Sequence, residues 1–295
     1  SHQLAYKVSW PFNRVLSLRG RAAYRLERNT IVSLDRFTLS IPSVYNNTFS
    51  LYAELVFDAT RNIGINLMEG TRYKVFIEGF QMVKGQSKQV FVAGFDFRNY
   101  QRIHRSLIWA NRFALGTSFG SGKLIYYLGG VDNWVKITNV QDMFSREAEP
   151  DPTQSYVYQT LATNMRGFPQ NIRNGNNFAV INSELRFPIF KYFLNRNISS
   201  GFINNFQIVA FGDLGTAFQG INPFSEDNIT FTKKIDDQKP FYIELETRKS
   251  PIVGGMGFGA RTTLLGYFVR GDIAWGVEDN RINKPVFYFS VSLDF

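Results

Sequence analysis

The sequence contains no cysteine and only two histidines, His2 and His104, in 295 residues. Without thiols there can be no disulfide scaffold, thiolate zinc site or thiol nucleophile, and two imidazoles leave little for metal coordination. Charge is also sparse, at 19% of residues against about 25% in ordinary globular chains. No run approaches the roughly 18 to 20 apolar residues of a spanning helix, and no basic-then-apolar leader opens the chain. Any membrane passage must therefore use strands, and an export signal is expected to have been removed or to lie upstream. Helical heptads are absent as well.

What is present is aromatic and basic: 29 Phe, 14 Tyr and 33 Lys+Arg against 24 Asp+Glu, for a formal charge of +9. An apolar fraction of 44% excludes disorder. The pattern that organises these residues has period two. Phe287, Phe289, Val291, Leu293 and Phe295 alternate with Tyr288, Ser290, Ser292 and Asp294. Leu51, Ala53, Leu55 and Phe57 alternate in the same way with Tyr52, Glu54, Val56 and Asp58, and Val269, Ile273 and Trp275 oppose Arg270 and Asp272. One face is apolar and the other polar, as in half-buried strands.

A soluble sandwich would alternate too, but its strands usually run about five or six residues, whereas membrane strands need about nine to eleven. The segments here are long: 3–11, 15–28, 49–59, 71–82, 88–100, 106–118, 177–190, 204–218, 251–264, 266–276 and 285–295. Short connections such as 11–14, 101–105 and 265–266 alternate with long ones at 29–48, 119–176, 219–250 and 277–284. That asymmetry belongs to outer-membrane barrels, with short turns on the periplasmic side. The expected fold is an all-β transmembrane antiparallel barrel. Single-chain bacterial barrels have even strand numbers, so about eleven strands, the first beginning at residue 3, point to the C-terminal part of a larger barrel.

Several peptides carry a more specific resemblance. Met165-Arg166-Gly167-Phe168, Gly175-Asn176, Asn182 through Ile189 (Asn-Ser-Glu-Leu-Arg-Phe-Pro-Ile) and Phe211-Gly212-Asp213-Leu214-Gly215 occur in the order found in the C-terminal barrel of the BamA superfamily. Phe57 through Arg61, Glu69 through Arg72, Phe97 through Tyr100, Tyr126 through Gly130 and the terminal Phe-Ser-Val-Ser-Leu-Asp-Phe support it. Met165 stands where that family usually has Val or Ile. The resemblance implies a barrel of about sixteen strands, with the first five strands and any periplasmic domains before Ser1. It also implies that residues 119–176 form an extracellular loop folded back into the lumen and that 219–250 is a further extracellular loop.

A lock for that loop is implied in the same way. Arg166 would bind inward carboxylates of Glu184 and Asp213, Gly167 would permit the turn at the tip, and Phe168 would wedge against the wall. The alternation is read here as setting Asp213 on the face opposite Val209 and Phe211, and Glu184 opposite Leu185 and Phe187. Phe287, Phe289, Val291, Leu293 and Phe295 form the C-terminal strand signal.

Enzymatic motifs fail on their own chemistry. Gly116-Thr117-Ser118-Phe119-Gly120 has nucleophile-elbow spacing, but both histidines precede Ser118 and no helix follows. Gly120-Ser121-Gly122-Lys123 has Thr117 where a phosphate loop needs its first glycine and Leu124 where it needs Ser or Thr. Gly254 to Gly259 enters a strand and lacks dinucleotide spacing, so small residues beneath a lumen-filling loop explain it better. Glu226, Asp227, Asp236 and Asp237 have no calcium-loop spacing, and Asn46, Asn197 and Asn228 match glycosylation acceptors that matter only in a eukaryotic secreted chain.

No catalysis, cofactor, metal or nucleic-acid partner is expected. Arg19, Arg21, Arg25, Arg72, Lys74, Arg112 and Arg270 fall on the polar face, where they would line a lumen, and loop cations suit phosphorylated lipid such as lipopolysaccharide. The resemblance implies a Gram-negative outer-membrane protein, of assembly-factor, secretion-transporter or surface-antigen type. Such a protein assists polypeptide insertion or translocation, with accessory outer-membrane or periplasmic proteins as partners. The alternative is a membrane anchor for an upstream enzymatic or recognition domain, and the length of loop 119–176 argues against a passive pore.

Overall fold

A computed structural model describes the chain except for residues 31–41, 85–86, 136–141, 152, 195–198, 226–227, 229–230 and 237–242. The acidic pairing at Glu226, Asp227 and Asp237 and the acceptor Asn197 lie outside the described residues. In chain order the strands of the main sheet are β1 (His2–Pro11), β2 (Leu16–Asn29), β3 (Val44–Asp58), β4 (Arg61–Gly64), β5 (Leu67–Lys84), β6 (Gln89–His104) and β7 (Leu107–Gly120). The long loop then carries β8 (Lys123–Leu128), β9 (Tyr156–Leu161) and β10 (Arg173–Gly175), before β11 (Asn177–Phe187). Helices α1 (Ile189–Phe193) and α2 (Gly201–Asn204) lead to β12 (Gln207–Phe218). The remainder is β13 (Phe231–Asp236), β14 (Ile243–Arg248), β15 (Ile252–Leu264), β16 (Tyr267–Glu278), β17 (Arg281–Ile282) and β18 (Val286–Val291).

One antiparallel sheet of thirteen strands dominates, in the order β1-β2-β3-β5-β6-β7-β11-β12-β15-β16-β17, with β4 on β5 and β18 on β16. Setting aside the short β4 and β17, the eleven long-range strands are the segments that the alternation marks out. Each follows its predecessor in the sheet, the meander that short antiparallel connections produce. Among the described residues no pairing joins β1 to β18, and every residue of β1 is exposed.

The sheet must curl. Asn66, between β4 and β5, donates to Asp294 Oδ2 at 2.8 Å, although β5 and β18 lie seven strand steps apart. Those steps would span about 33 Å in a flat sheet. The two faces differ as the alternation requires. On β12, Gln207, Val209, Phe211, Asp213, Gly215 and Ala217 are buried while Ile208 and Leu214 are exposed. Leu51, Val75, Phe91, Ile181, Phe258 and Phe287 continue the exposed apolar surface, which spans far more than the isolated apolar side chains normal on a water-soluble surface.

The structure corrects three expectations. The odd residues of β12 share one face, so Asp213 lies beside Val209 and Phe211 rather than opposite them; apolar side chains are admitted there because the loop covers them. The last strand ends at Val291, opposite Val269 of β16, instead of at 295, because tertiary contacts draw the chain's end away from the pairing. Asp294 then turns toward Arg261 and Arg270, and Phe295 packs with Leu67, Tyr100, Ile108 and Ala110. Finally, the strand expected over 177–190 ends at Phe187, and the helices α1 and α2 form an elbow before β12.

Candidate functional site

The described residues of 121–176 fold against the inner face of β7, β11, β12, β15, β16 and β18. Within the loop, β8 pairs β10 antiparallel and β9 in parallel, giving a three-stranded sheet of its own. Two backbone bonds then close a narrow return: Met165 N to Gly130 O and Gly130 N to Phe168 O, each 3.0 Å. Gly167 sits at the tip with φ of +96°, a conformation glycine adopts without steric cost. Leu128, Met165, Phe168 and Ile172 from the loop pack with Val180, Ala217 and Val253 from the wall. Met165 is fully buried there, its apolar side chain filling the cluster.

At this tip the structure brings Arg166, Asp213 and Glu184 together. Arg166 donates Nε and Nη2 to the two oxygens of Asp213, both at 2.7 Å, and Nη1 to Glu184 Oε1 at 2.6 Å. Its backbone N–H also reaches Asp213, at 3.1 Å. The guanidinium lies 3.6 Å from the centroid of the Phe211 ring, a cation–π contact. Arg166, Glu184 and Asp213 are 3%, 2% and 4% exposed. Burial would lower the Arg166 pKa, but Asp213 and Glu184 outweigh it and hold the group well above its ordinary value. A planar fork suits two carboxylates set this way, which a lysine could not match.

The cluster extends to the end of the chain. Glu184 also accepts from Arg186 Nε at 2.9 Å, and Arg186 donates to Asn66 O at 3.0 Å and Phe295 O at 3.2 Å. Asp294 binds Arg261 and Arg270 at 3.0 and 3.1 Å, and these turn to Asp272 and Asp132. Each buried cation therefore faces at least one carboxylate, the condition under which burial of charge is tolerated. Of the C-terminal strand residues, Phe287, Val291 and Leu293 are exposed, Phe289 is half-buried and Phe295 is buried.

Several participants were not singled out from sequence. Tyr288 Oη accepts the Gly167 N–H at 2.9 Å and donates to Phe168 O at 2.7 Å, tying the last strand to the loop tip. Its place on the polar side of the terminal alternation is the signal that could have identified it. Asn182 bridges Asp213 and Asn164 O, at 2.8 and 2.9 Å. Ser118 is fully buried on β7 and accepts the Leu124 N–H at 2.7 Å, so its hydroxyl serves a turn. Tyr288→Phe is expected to leave the tip's N–H and C=O without that partner, at a cost of about 1–2 kcal/mol. Hydrogen exchange in proteoliposomes should show faster labelling over 165–168 with unchanged protection in β11 and β12.

Comparison with known proteins agrees at the level of fold. The chain aligns with the crystal structure of BamA from Haemophilus ducreyi lacking POTRA domains 1–3, with a TM-score of 0.54. The alignment covers 98% of this chain and 54% of that one, at 10% identity. The chain thus has a BamA-like barrel fold and spans about half the length of that structure. No protein-family model and no curated protein matches it.

Proposed function

We propose that the chain forms the wall of a Gram-negative outer-membrane barrel that assists polypeptides into or across that membrane. The observation that carries this reading is the combination of an apolar outward face with an inner face occupied by a pinned loop. A wall exposing Leu51, Ile77, Phe91, Ile181, Leu214, Phe258 and Phe287 calls for lipid around it. An occupied lumen disfavours free diffusion and leaves the seam at the last strand as the working surface. Along the last strand, β18, the side away from β16 meets Trp134 and Val135 of the loop at Ser290 and Phe289 and no further strand among the described residues. Such an edge can receive an incoming strand by β-augmentation. The likeness to BamA supports the same reading.

The test is client folding in liposomes that contain the purified chain. A urea-denatured outer-membrane barrel should reach its folded state faster than in protein-free liposomes. A photo-crosslinker placed at Phe287 on β18 should capture that client during insertion. Equal rates together with no crosslink would overturn the proposal.

A further inference from the structure

We propose that the elbow built from α1 and α2 is a lipid-docking device that lies in the headgroup–acyl boundary of the leaflet at the short-turn rim. The rim's other connections include tight turns at 12–15, 105–106 and 265–266, whereas this one contains α1 and α2. Its described residues expose Phe193 (67%), Phe202 (47%), Leu194 (39%) and Ile203 (37%). The inward contacts are already satisfied: Phe190 packs on Phe206 with ring centroids 5.8 Å apart, and Tyr192 lies edge-on to Phe187 at 4.9 Å. Phe193 and Phe202 also touch Phe187 and Phe206, with ring centroids 5.9 and 6.2 Å apart, yet each still turns about half or more of its surface outward.

Its attachments give its direction. Phe187 follows Ile181 and Leu185 on the outward row of β11, and its ring meets both Tyr192 and Phe193. Thr262 belongs to the outward row of β15 and donates to Phe202 O at 2.7 Å. The elbow thus continues the face that the proposed function gives to lipid, and this inference rests on that reading. Lys191 Nζ is fixed to Ile63 O at 2.7 Å and Tyr192 Oη to His104 Nδ1 at 2.7 Å, so neighbouring turns hold the elbow in place.

The same rim carries Trp10, Trp109 and Tyr267, all exposed. Trp109 lies on the outward row of β7 and pairs across to Leu185. Indole and phenol rings gather at membrane–water boundaries because one end is apolar and the other can hydrogen-bond. Phe, Leu and Ile on a short helical elbow, flanked by Lys191, Arg105 and His104, fit a zone where acyl chains meet phosphate. A water-soluble protein docking beneath the barrel would instead meet the underside of the turns, which is not the direction set by Phe187 and Thr262.

The absence of cysteine makes single-site labelling clean. Nitroxides would be placed at Phe193→Cys, Phe202→Cys, Phe258→Cys on the wall and Glu149→Cys on the loop, each in the full chain in phosphatidylethanolamine–phosphatidylglycerol liposomes. Relaxation by oxygen and by a water-soluble nickel chelate then reports depth. Positions 193 and 202 are expected to respond more to oxygen than to nickel, at a depth between Glu149 and Phe258. If they match Glu149 while Phe258 remains deep, the elbow stands in water or against a soluble partner, and the inference fails with the membrane reading intact. If Phe258 is itself open to nickel, both fail.

Discussion

Arg166→Ala is expected to release the tip of the 121–176 loop while leaving the sheet folded. The substitution removes three side-chain bonds to Asp213 and Glu184 and the contact with Phe211. It also leaves two carboxylates facing each other, 4% and 2% exposed, with only Glu184 retaining a cation in Arg186. Stranding buried charge in this way costs about 3–5 kcal/mol when burial is complete, and less where water can follow the loop outward. Limited proteolysis of the reconstituted protein should show new cuts within 121–176, and the thermal unfolding midpoint should fall.

Two further variants separate charge from shape. Arg166→Lys restores the cation but not the fork, so partial recovery is expected. Arg166→Ala combined with Asp213→Ala removes the stranded carboxylate and should cost less than the sum of the single changes. Lys123→Ala serves as the control, because the half-buried Lys123 donates to Gln154, away from the tip. A proteolysis pattern for Arg166→Ala that matches Lys123→Ala would dispose of the lock. If the loop is released, client folding in liposomes would show whether its docking matters to the proposed activity.

The wall of the barrel was legible because every spanning strand repeats the same instruction. Apolar side chains at alternate positions turn outward and polar ones inward, so a strand such as Leu51–Asp58 can be found without knowing its neighbours. The loop sheet gave no such signal. Leu124, Ile125, Tyr126, Tyr127 and Leu128 are apolar in succession because β8 packs on both sides, which erases period two. The parallel pairing of β8 with β9 also joins segments far apart in sequence, and local pattern says nothing of it.

At the site, the resemblance names Arg166, Glu184 and Asp213, which the structure brings together, whereas Asp213 does not lie opposite Phe211. Counting by twos puts Asp213 with Phe211, and the ring beneath the guanidinium is the consequence. The end of the chain was obscured for a different reason. Asp294 and Phe295 fit the strand's alternation, and only tertiary contacts, to Arg261, Arg270 and the cluster around Tyr100, turn them away from it. The elbow's short helices are below the length at which periodicity identifies a helix.

Gly255→Val is expected to evict the loop tip by a second route, with every charge retained. A Cβ built on Gly255 would stand 1.9 Å from Arg166 O, and the obstacle is backbone, which cannot rotate aside. On the adjoining strand a Cβ on Gly276 would meet Gly167 O and the Phe168 ring, both at 2.5 Å. Glycine at these two positions is thus a matter of space under the loop, and overpacking costs about 1–3 kcal/mol, occasionally more. Because a whole turn of backbone must lift, the expected penalty for Gly255→Val lies at or above the top of that range. Gly271→Ala on β16, where nothing lies within 4 Å of the added carbon, should be nearly neutral. Proteolysis should cut the loop of Gly255→Val at the sites opened by Arg166→Ala, since both act on the same seat. Adding Gly255→Val to Arg166→Ala should then change the pattern little, because a tip already released has nothing left to lose beneath it; additive effects would mean that Gly255 serves the sheet and not the loop.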